Sequence, residues 1–515
     1  MMPNGWVNPL RSLLDGMETP RERIEDYLDY WAEAAPLAEA CVEAGARLTY
    51  ADLRCKVDTF TAELVRADIG EGDVIAVLAP PSSDFLASFL AACRLGAVWL
   101  GINPKYKRGE MLFLVEDAQP RLVLARAQID GRAFAEELAA IAAQGIPVRL
   151  FADIAQDIDR PNLTRAANPV AALVYTSGST GKPKAARLTH RGLIRGALVR
   201  SSVWRVEPFR TVNNVPINHV GGLGDIACTT LVRGGCQVFL ERFTAAGTLK
   251  AIGDERISYW YQAPTMFQMC LDAPEAATTD WSSLQAAIWS GGRASDDLVA
   301  ALVRVADRIG VDYSMTESIG AITLTPLTDQ PETLRDTVGW PDPGRAVRIV
   351  GLETGQPVEP GCPGEIQIGD DWRFAGYAGQ PPLSSAEWFA TGDLGQIDVD
   401  GALRLTGRAK DMFKSGGYNV YPREIEQAIE AIAGVVSAAV LPVPDTLFGE
   451  VGLAFVVHDK SVIELSHIEA HCRAQLANYK VPKRFVALSE MPMLPIGKVD
   501  KQALALFAED LAGIG

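Results

Sequence analysis

The sequence is poor in histidine, in positive charge and in the cysteine spacings that bind metals. Five histidines occur in 515 residues, and the formal net charge is −16. The eight cysteines are scattered, with no C-x-x-C pair. General binding to nucleic acid or to anionic membrane surfaces needs a basic face, so these features argue against it. Scattered cysteines favour reduced thiols in a cytoplasmic protein.

A basic leader and a long apolar run are also lacking. The first ten residues include no lysine or arginine, so we expect no signal peptide. The one membrane-like stretch, residues 85–102, is interrupted by Ser88, Arg94 and Gly96. An arginine at the centre of a spanning helix is costly. We therefore expect this stretch to be buried protein core, and no membrane insertion.

The composition is that of an ordinary globular protein, with 48% hydrophobic and 22% charged residues. Short apolar runs, among them residues 122–125 and 286–289, alternate with helical patterns over residues 48–151 and again over 212–325, which predicts two sheets built from β-α-β units. Residues 337–405 are rich in Gly/Pro turns and predict a small β-rich subdomain. Beyond about residue 407 an α+β pattern follows, of a length that suits one small domain.

The most informative local pattern is an apolar strand that leads into a glycine- and hydroxyl-rich loop. Residues 170–175 predict a buried strand. The loop that follows is Thr176, Ser177, Gly178, Ser179, Thr180, Gly181 and Lys182, and a helical pattern begins at about residue 190. Its glycines permit tight turns, while its hydroxyls and lysine suit a triphosphate. It is not a Walker A motif, because only two residues separate its glycines. On composition alone a flexible surface loop is the alternative.

Further motifs follow this loop in a characteristic order, and together they resemble the acyl-adenylate-forming enzyme superfamily, in particular its acyl-CoA synthetases. The resemblance covers nearly the whole chain. The motifs are Pro216-Ile-Asn-His219, Tyr313-Ser-Met-Thr-Glu317, Thr391-Gly-Asp393, Gly407-Arg-Ala-Lys-Asp411, Ser415-Gly-Gly-Tyr-Asn-Val-Tyr-Pro-Arg-Glu-Ile-Glu426 and Pro495-Ile-Gly-Lys498. The resemblance implies ATP, Mg²⁺ and CoA as cofactors and a small-molecule carboxylic acid as substrate.

The resemblance also implies the residues that carry the first step, in which a carboxylate attacks the α-phosphate of ATP. Because two anions meet there, the site needs positive groups at the point of reaction. Lys498 matches the lysine that bridges the carboxylate and the α-phosphate. Thr316 matches a hydroxyl that contacts the α-phosphate, and Glu317 matches a carboxylate that helps to hold Mg²⁺.

A second group of residues matches positions that bind adenosine. Tyr313 is expected to stack on adenine, with glycines forming the opposite wall, and Asp312 to meet the adenine amino group. Asp393 and Arg408 are expected to take the ribose hydroxyls. The glycines of the wall are Gly291 and Gly292, which follow Ser290.

The acid is predicted to be hydrophobic (aromatic, alicyclic or medium-chain) and not an amino acid. His219 stands where amino-acid-activating relatives carry the aspartate that pairs with the α-ammonium, and an imidazole supplies no permanent negative charge. His219, Gly221, Gly222, Met266 and Trp289 are the predicted pocket residues, since such pockets are mostly apolar. His219 is also a candidate catalytic residue. The alternative for the bulky ones is ordinary core.

The acceptor is predicted to be CoA. Gly416 and Gly417 belong to a loop that looks like the small-residue loop of CoA ligases, through which pantetheine reaches the adenylate. Lys483 and Arg484 are candidates for the phosphates of CoA, with a solvated turn as the alternative. A free-standing enzyme that loads a carrier-protein phosphopantetheine stays open, as does a homodimer.

The resemblance finally implies two domains, an ATP- and acyl-binding domain at 1–409 and a lid domain at 410–515, with the hinge at Lys410. We therefore predict an α/β protein. Its large N-terminal domain has two β-α-β sheet subdomains and a small β-rich subdomain, and a small mobile α+β domain follows. Lys498 and the glycine loop both lie in the lid domain, so we expect the two half-reactions to use different orientations of it.

Overall fold

The structure, a computed structural model, describes residues 8–14, 17–18, 20–155, 163–176, 183–335, 337–384, 386–416, 418–493 and 499–513. The predicted sites at Ser177–Lys182, Gly417 and Lys498 lie outside these ranges. The helices are α1 Arg11–Leu14, α2 Asp26–Ala34, α3 Tyr50–Arg66, α4 Ser83–Leu95, α5 Arg108–Ala118, α6 Ala135–Ala142, α7 His190–Val203, α8 Thr229–Arg233, α9 Ala245–Asp254, α10 Pro264–Leu271, α11 Asp296–Val305, α12 Pro422–Glu430, α13 Leu465–Gln475 and α14 Lys501–Gly513. A π-helix spans Gly221–Cys228.

The strands form four main sheets. They are β1 Glu39–Glu43, β2 Ala46–Thr49, β3 Val74–Leu78, β4 Val98–Ile102, β5 Leu122–Ala125, β6 Gln128–Ile129, β7 Arg132–Ala133, β8 Val148–Leu150, β9 Val170–Thr176, β10 Lys184–Thr189, β11 Arg210–Asn213, β12 Cys236–Phe239, β13 Tyr259–Gln262, β14 Ala286–Trp289, β15 Arg308–Met315, β16 Gly320–Leu324, β17 Trp340–Pro341, β18 Val347–Val350, β19 Gly364–Ile368, β20 Phe389–Ile397, β21 Leu403–Arg408, β22 Phe413–Ser415, β23 Tyr418–Val420, β24 Val435–Asp445, β25 Gly449–His458 and β26 Arg484–Leu488.

Two large, mostly parallel sheets make the N-terminal part. One has six strands in the order β10-β9-β4-β3-β5-β8, and the other has nine in the order β17-β16-β15-β14-β13-β11-β12-β1-β2. Antiparallel strands occur at their edges, where β10 pairs with β9 and β16 with β15. Parallel neighbours need crossover helices, which the alternating sequence pattern supplies. The two predicted β-α-β sheets are therefore confirmed.

Helices lie between the two sheets and on both outer faces. Alternation along β3 shows this, because Ile75 and Val77 join the central core whereas Ala76 and Leu78 join the outer core beside α5 and α6. The central core also includes Phe239 of the nine-stranded sheet and buried residues of α4 and α7. A further core packs α9, α10 and α11 on the outer face of that sheet. Residues 85–93 of α4 and all of β4 are buried for this reason, which explains the membrane-like stretch 85–102.

The remaining sheets match the two predicted smaller units. Strands β18–β21 form a four-stranded antiparallel sheet, and a five-stranded sheet of β22–β26 packs with α12, α13 and α14 in the C-terminal part. Lys410 lies in the short turn Ala409–Asp411 that connects β21 to β22. Among the described helices, none has the length and apolarity that crossing a bilayer requires.

Strand β10 was not predicted. The sequence pattern places a loop between the strand at 170–175 and the helix from 190, whereas residues 184–189 form β10 and pair antiparallel with β9. The predicted phosphate loop therefore joins two strands of a hairpin. It does not lead directly into a helix N-terminus.

Candidate active site

The edge of the predicted phosphate loop meets the turn after β15. Thr176 is the last residue of β9, and Glu317 lies in the turn Thr316–Ser318 directly after β15. The hydroxyl of Thr176 donates to Oε1 of Glu317 at 3.3 Å, and the hydroxyl of Tyr377 donates to the same oxygen at 2.8 Å. The fold thus brings together residues 141 positions apart that the motifs assigned to one ligand.

Tyr377 is a neighbour that the sequence motifs did not indicate. It forms an isolated β-bridge with Ala186 of β10, and Lys184 lies 5.4 Å from the centre of its ring. Burial, followed by the charge of Glu317, raises the pKa of Tyr377, so the phenol keeps its proton and donates. No local pattern marks this tyrosine, because its role depends on a contact with a distant strand.

A carboxylate surrounded by hydroxyl groups fits a magnesium ion. Glu317 is 6% exposed, and the groups that reach its Oε1 are the hydroxyls of Thr176 and Tyr377. Hard divalent cations prefer such oxygen ligands and often use one carboxylate together with substrate phosphates. Glu317 would therefore hold the ion, with the phosphates of ATP supplying further ligands.

The predicted ribose ligands and the predicted adenine platform form one hydrogen-bonded group. Asp393 of β20 and Arg408 of β21 are cross-strand partners. The carboxylate of Asp393 accepts from Nε of Arg408 at 2.6 Å and from the hydroxyl of Tyr313 at 2.7 Å. Gly392, with φ of +74°, allows the backbone turn just before Asp393. The strand order brings the three side chains to one place.

The predicted glycine wall lies at the end of β14. Gly291 has φ of +82°, which favours glycine, and both Gly291 and Gly292 are exposed. A methyl group on Gly292 would find its nearest neighbour, Pro264, at 3.9 Å, so this surface has room beside it. The hydroxyl oxygens of Ser290 and Ser314 lie 3.3 Å apart, so the glycine wall is held next to β15, the strand that carries Tyr313.

Asp312 does not face the solvent beside Tyr313. Its side chain is fully buried, and its carboxylate forms an ion pair with Arg200 of α7 at 2.9 Å. Successive strand residues point to opposite faces, so Asp312 and Tyr313 cannot both present side chains to one ligand. The contact between Asp312 and the adenine amino group remains a prediction, and the backbone of Asp312 would have to make it.

The predicted acyl-pocket residues lie on two sides of the nine-stranded sheet. His219, Gly221 and Gly222 belong to the segment that enters the π-helix, and the amide of Gly221 donates to Nδ1 of His219 at 3.0 Å. Trp289 is 3% exposed and packs in the outer core beside α10 and α11. Met266 lies on α10 and is half-buried. The structure therefore groups the first three, and it places Trp289 and buried residues of α10 in the outer core.

The π-helix itself was missed by the sequence analysis. Such helices are rare and frequently occur at functional sites. Here a methyl group on Gly222 would lie 2.8 Å from the carbonyl oxygens of Val215 and Pro216. The segment after β11 is thus packed so closely that only glycine fits, which holds His219 at the carboxyl end of the sheet.

In the C-terminal part, Gly416 and Lys483 share one surface. Gly416 has φ of +57°, and its amide donates to the carbonyl of Phe448 at 2.9 Å. Nζ of Lys483 lies 5.3 Å from the centre of the Phe448 ring. Arg484 begins β26 and is exposed, whereas the nearby Lys480 pairs with Glu424 at 2.6 Å.

The sequence pattern of the AMP-binding enzyme family matches residues 28–378, and that of the AMP-binding enzyme C-terminal domain matches residues 424–498. The chain is 32% identical over 481 residues to a feruloyl-CoA synthase of an Amycolatopsis species, covering 91% of this chain and 96% of the relative. It is 30% identical over 491 residues to the long-chain-fatty-acid–CoA ligase FadD13 of Mycobacterium tuberculosis, covering 92% and 96%. ATP-bound MatB from Rhodopseudomonas palustris superposes with a TM-score of 0.85 at 29% identity, covering 95% of this chain and 99% of that one.

Proposed function

The chain belongs to the AMP-binding enzyme family and is an AMP-forming acid–CoA ligase, and we propose that its acid is hydrophobic: aromatic, alicyclic or medium-chain. Two relatives support an aromatic or aliphatic acid, since one is named for a feruloyl group and the other for long-chain fatty acids. The absence of an aspartate at His219 argues against an amino acid.

The observation that best supports the proposed ATP site is the meeting of three chain segments around β15. Thr176, Glu317 and Tyr377 gather at one end, while Tyr313, Asp393 and Arg408 form the group described above. In the proposed pose the phosphates lie beside the first group and the ribose beside the second. Adenine then stacks on the ring of Tyr313.

In the proposed first step an oxygen of the acid attacks the α-phosphorus of ATP and pyrophosphate leaves, which produces acyl-AMP. Lys498 and Thr316 would offset the charge that gathers on the α-phosphate. In the second step the sulfur of CoA attacks the acyl carbonyl, the thiol proton is released, and AMP leaves. Magnesium held by Glu317 would supply further positive charge to the phosphates.

CoA is proposed to approach over the surface shared by Gly416 and Lys483. A methyl group on Gly416 would lie 3.2 Å from the Phe448 ring, so the narrow loop depends on glycine. Lys483 and Arg484 offer positive charge to the CoA phosphates on a protein whose net charge is −16. In Lys483→Ala and Arg484→Ala we expect a higher KM for CoA that depends on ionic strength, whereas Lys460→Ala, in an exposed turn, keeps the wild-type value.

A panel of carboxylates tests the proposed substrate class. Benzoates, cinnamates, cyclohexanecarboxylate and straight-chain C4–C12 acids are each supplied with ATP and Mg²⁺, and pyrophosphate release is measured. CoA or a phosphopantetheinylated carrier protein is then added, and the thioester is detected by mass spectrometry. Strong activation of a free amino acid contradicts the proposed acid. Pyrophosphate release with thioester formed only on the carrier protein contradicts CoA as the acceptor.

The division at Lys410 and the alternation of the lid domain are tested by separating the half-reactions. Lys498→Ala is expected to lose adenylate formation and still to convert supplied acyl-AMP and CoA to thioester. Lys410→Pro is expected to do the reverse, because proline restricts φ and hinders the swing. Lys460→Ala serves again as the control. If both variants lose both half-reactions equally, a single orientation is the better account.

A further inference from the structure

A buried polar cluster lies between α7, the π-helix, β13 and β15. Arg200 of α7 is 1% exposed, and its Nη1 and Nη2 lie 2.9 Å from Oδ1 of Asp225 and Oδ2 of Asp312. The hydroxyl of Tyr261 lies 3.2 Å from Oδ2 of Asp225 and 3.3 Å from Oδ1 of Asp312. We refer to these four residues as the Arg200 cluster. No ligand role proposed above explains why its charges are buried.

The cluster places two carboxylates against one guanidinium. Burial lowers the pKa of Arg200, but the two carboxylates together raise it above its usual value, so Arg200 stays charged. Burial raises the pKa of Asp225 to about 6, and the charge of Asp312 adds to that effect while Arg200 opposes it. Without the guanidinium, two like charges would face each other in the protein interior, which is strongly unfavourable.

Each charged member belongs to a segment that carries part of the proposed active site. Helix α7 follows the β9–β10 hairpin, whose loop is the proposed phosphate loop. Asp225 lies on the π-helix, which begins at Gly221 and Gly222 of the proposed acyl pocket. Asp312 lies on β15, directly before Tyr313 of the proposed adenine site. Arg200 therefore connects the three segments through buried ion pairs.

The backbone of α7 is itself held close to the neighbouring strand. A methyl group on Gly196, one turn before Arg200, would lie 2.7 Å from the carbonyl oxygen of Ile319. A methyl group on Gly320 would lie 2.9 Å from the Cα of Gly196. The base of the Arg200 side chain thus has a defined position, from which its planar guanidinium can hold both carboxylates at once.

We propose that Arg200 is a positioning residue for adenylate formation. It holds β15, which carries Tyr313, and the π-helix at the spacing at which the carboxylate of the substrate acid meets the α-phosphate of ATP. Arg200 is 1% exposed, so its role is to position these segments and not to contact a substrate. This role rests on the proposed function. A displacement of about 1 Å at a reacting centre can cost about 100-fold in rate, so the spacing matters even without a direct contact.

The test compares Arg200→Met with the double variant Arg200→Met/Asp225→Asn and with Arg200→Lys. Arg23→Met is the matched control, because Arg23 is also buried and pairs with Glu25, in the N-terminal segment. Acid-dependent ATP–pyrophosphate exchange gives kcat and the KM for ATP and for the best acid of the panel. Thermal unfolding and circular dichroism show whether each variant is folded.

In Arg200→Met we expect kcat to fall about 100-fold while each KM changes by less than about threefold, since a spacing error affects the reacting complex more than either bound substrate. Removing one carboxylate in the double variant is expected to restore kcat about tenfold. The kcat of Arg200→Lys is expected to lie between those of the wild type and Arg200→Met, because a single ammonium cannot bridge two carboxylates as a guanidinium does. Arg23→Met is expected to lose thermal stability and keep kcat.

Three results would overturn the positioning role: a folded Arg200→Met with wild-type kcat, a double variant no better than the single one, or an equal loss of kcat in Arg23→Met. If Arg200→Met does not fold, Tyr261→Phe tests the positioning role instead, because this variant keeps the three charges of the Arg200 cluster. We expect its kcat to fall about three- to tenfold at unchanged thermal stability, and an unchanged kcat refutes the role. A wild-type protein inactive with every acid refutes the proposed function, and the positioning role with it.

Discussion

Removing the carboxylate of Asp393 gives the sharpest test of the proposed nucleotide site. The side chain of Asp393 is 9% exposed, and it accepts from Arg408 at 2.6 Å and from Tyr313 at 2.7 Å. In the proposed pose it also accepts from the ribose hydroxyls. Asp393→Ala removes these acceptors together and leaves the backbone of β20 in place.

The expected loss of affinity follows from the charge of the acceptor. A hydrogen bond to a charged group contributes about 1.5–3 kcal/mol. At about 1.4 kcal/mol for each tenfold change, one lost ribose bond weakens AMP binding about 10- to 150-fold. Asp393→Ala also leaves the buried hydroxyl of Tyr313 without this acceptor, so we expect a loss of protein stability of about 1–3 kcal/mol, which thermal unfolding measures beside the titration.

Calorimetric titration with AMP, 2′-deoxy-AMP and 3′-deoxy-AMP separates the ribose contact from general damage. The wild-type protein is expected to bind at least one deoxy nucleotide less tightly than AMP, whereas Asp393→Ala binds all three alike. Asp398→Ala is the control, because Asp398 also pairs with an arginine, Arg404, in the same sheet. Equal AMP affinity in Asp393→Ala and wild type, or a retained deoxy discrimination in the variant, would refute the assigned ribose contact.

Three further predictions concern packing, pH and the carboxylate at the phosphates. Gly320→Ala is expected to lower the free energy of unfolding by about 1–3 kcal/mol, because its methyl group would lie 2.9 Å from a backbone carbon of α7; Gly109→Ala, with nothing within 4 Å, is expected to be neutral or stabilising in urea unfolding. Burial, with a smaller contribution from a nearby arginine, lowers the pKa of His190 to about 3. Below about pH 6.5 the imidazole of His190 therefore binds a proton in the unfolded chain but not in the folded protein. The free energy of unfolding decreases for this reason as the pH drops from about 6.5 towards 3. The stability difference between wild type and His190→Asn should shrink by about 2 kcal/mol between pH 7 and pH 5, and a constant difference contradicts the assignment. Tyr377→Phe removes the hydroxyl that donates to Glu317, so we expect the Mg²⁺ dependence of pyrophosphate exchange to shift and the rate to fall about tenfold; an unchanged Mg²⁺ titration would show that this contact is unimportant.

Local pattern was sufficient for much of the architecture. The runs at 122–125 and 286–289 are strands with those bounds, and the strand predicted at 170–175 extends by one residue. Apolar periodicity and glycine or proline breaks are local properties, so they specify the elements, the two β-α-β sheets and the small C-terminal α+β unit. The motifs likewise determine the family, since each is a short run of residues whose order along the chain can be read directly.

The arrangement of side chains across those elements was decided only by tertiary structure. Strand alternation turns Asp312 into the interior and places Trp289 in the outer core, whereas the π-helix packs in the central core. Tyr377 reaches Glu317 from 60 residues away, and Arg200 meets Asp312 from 112 residues away. Buried polar groups must find partners, but their partners can come from any part of the chain, so local sequence reveals that a charge occurs and only the packed fold decides what compensates it.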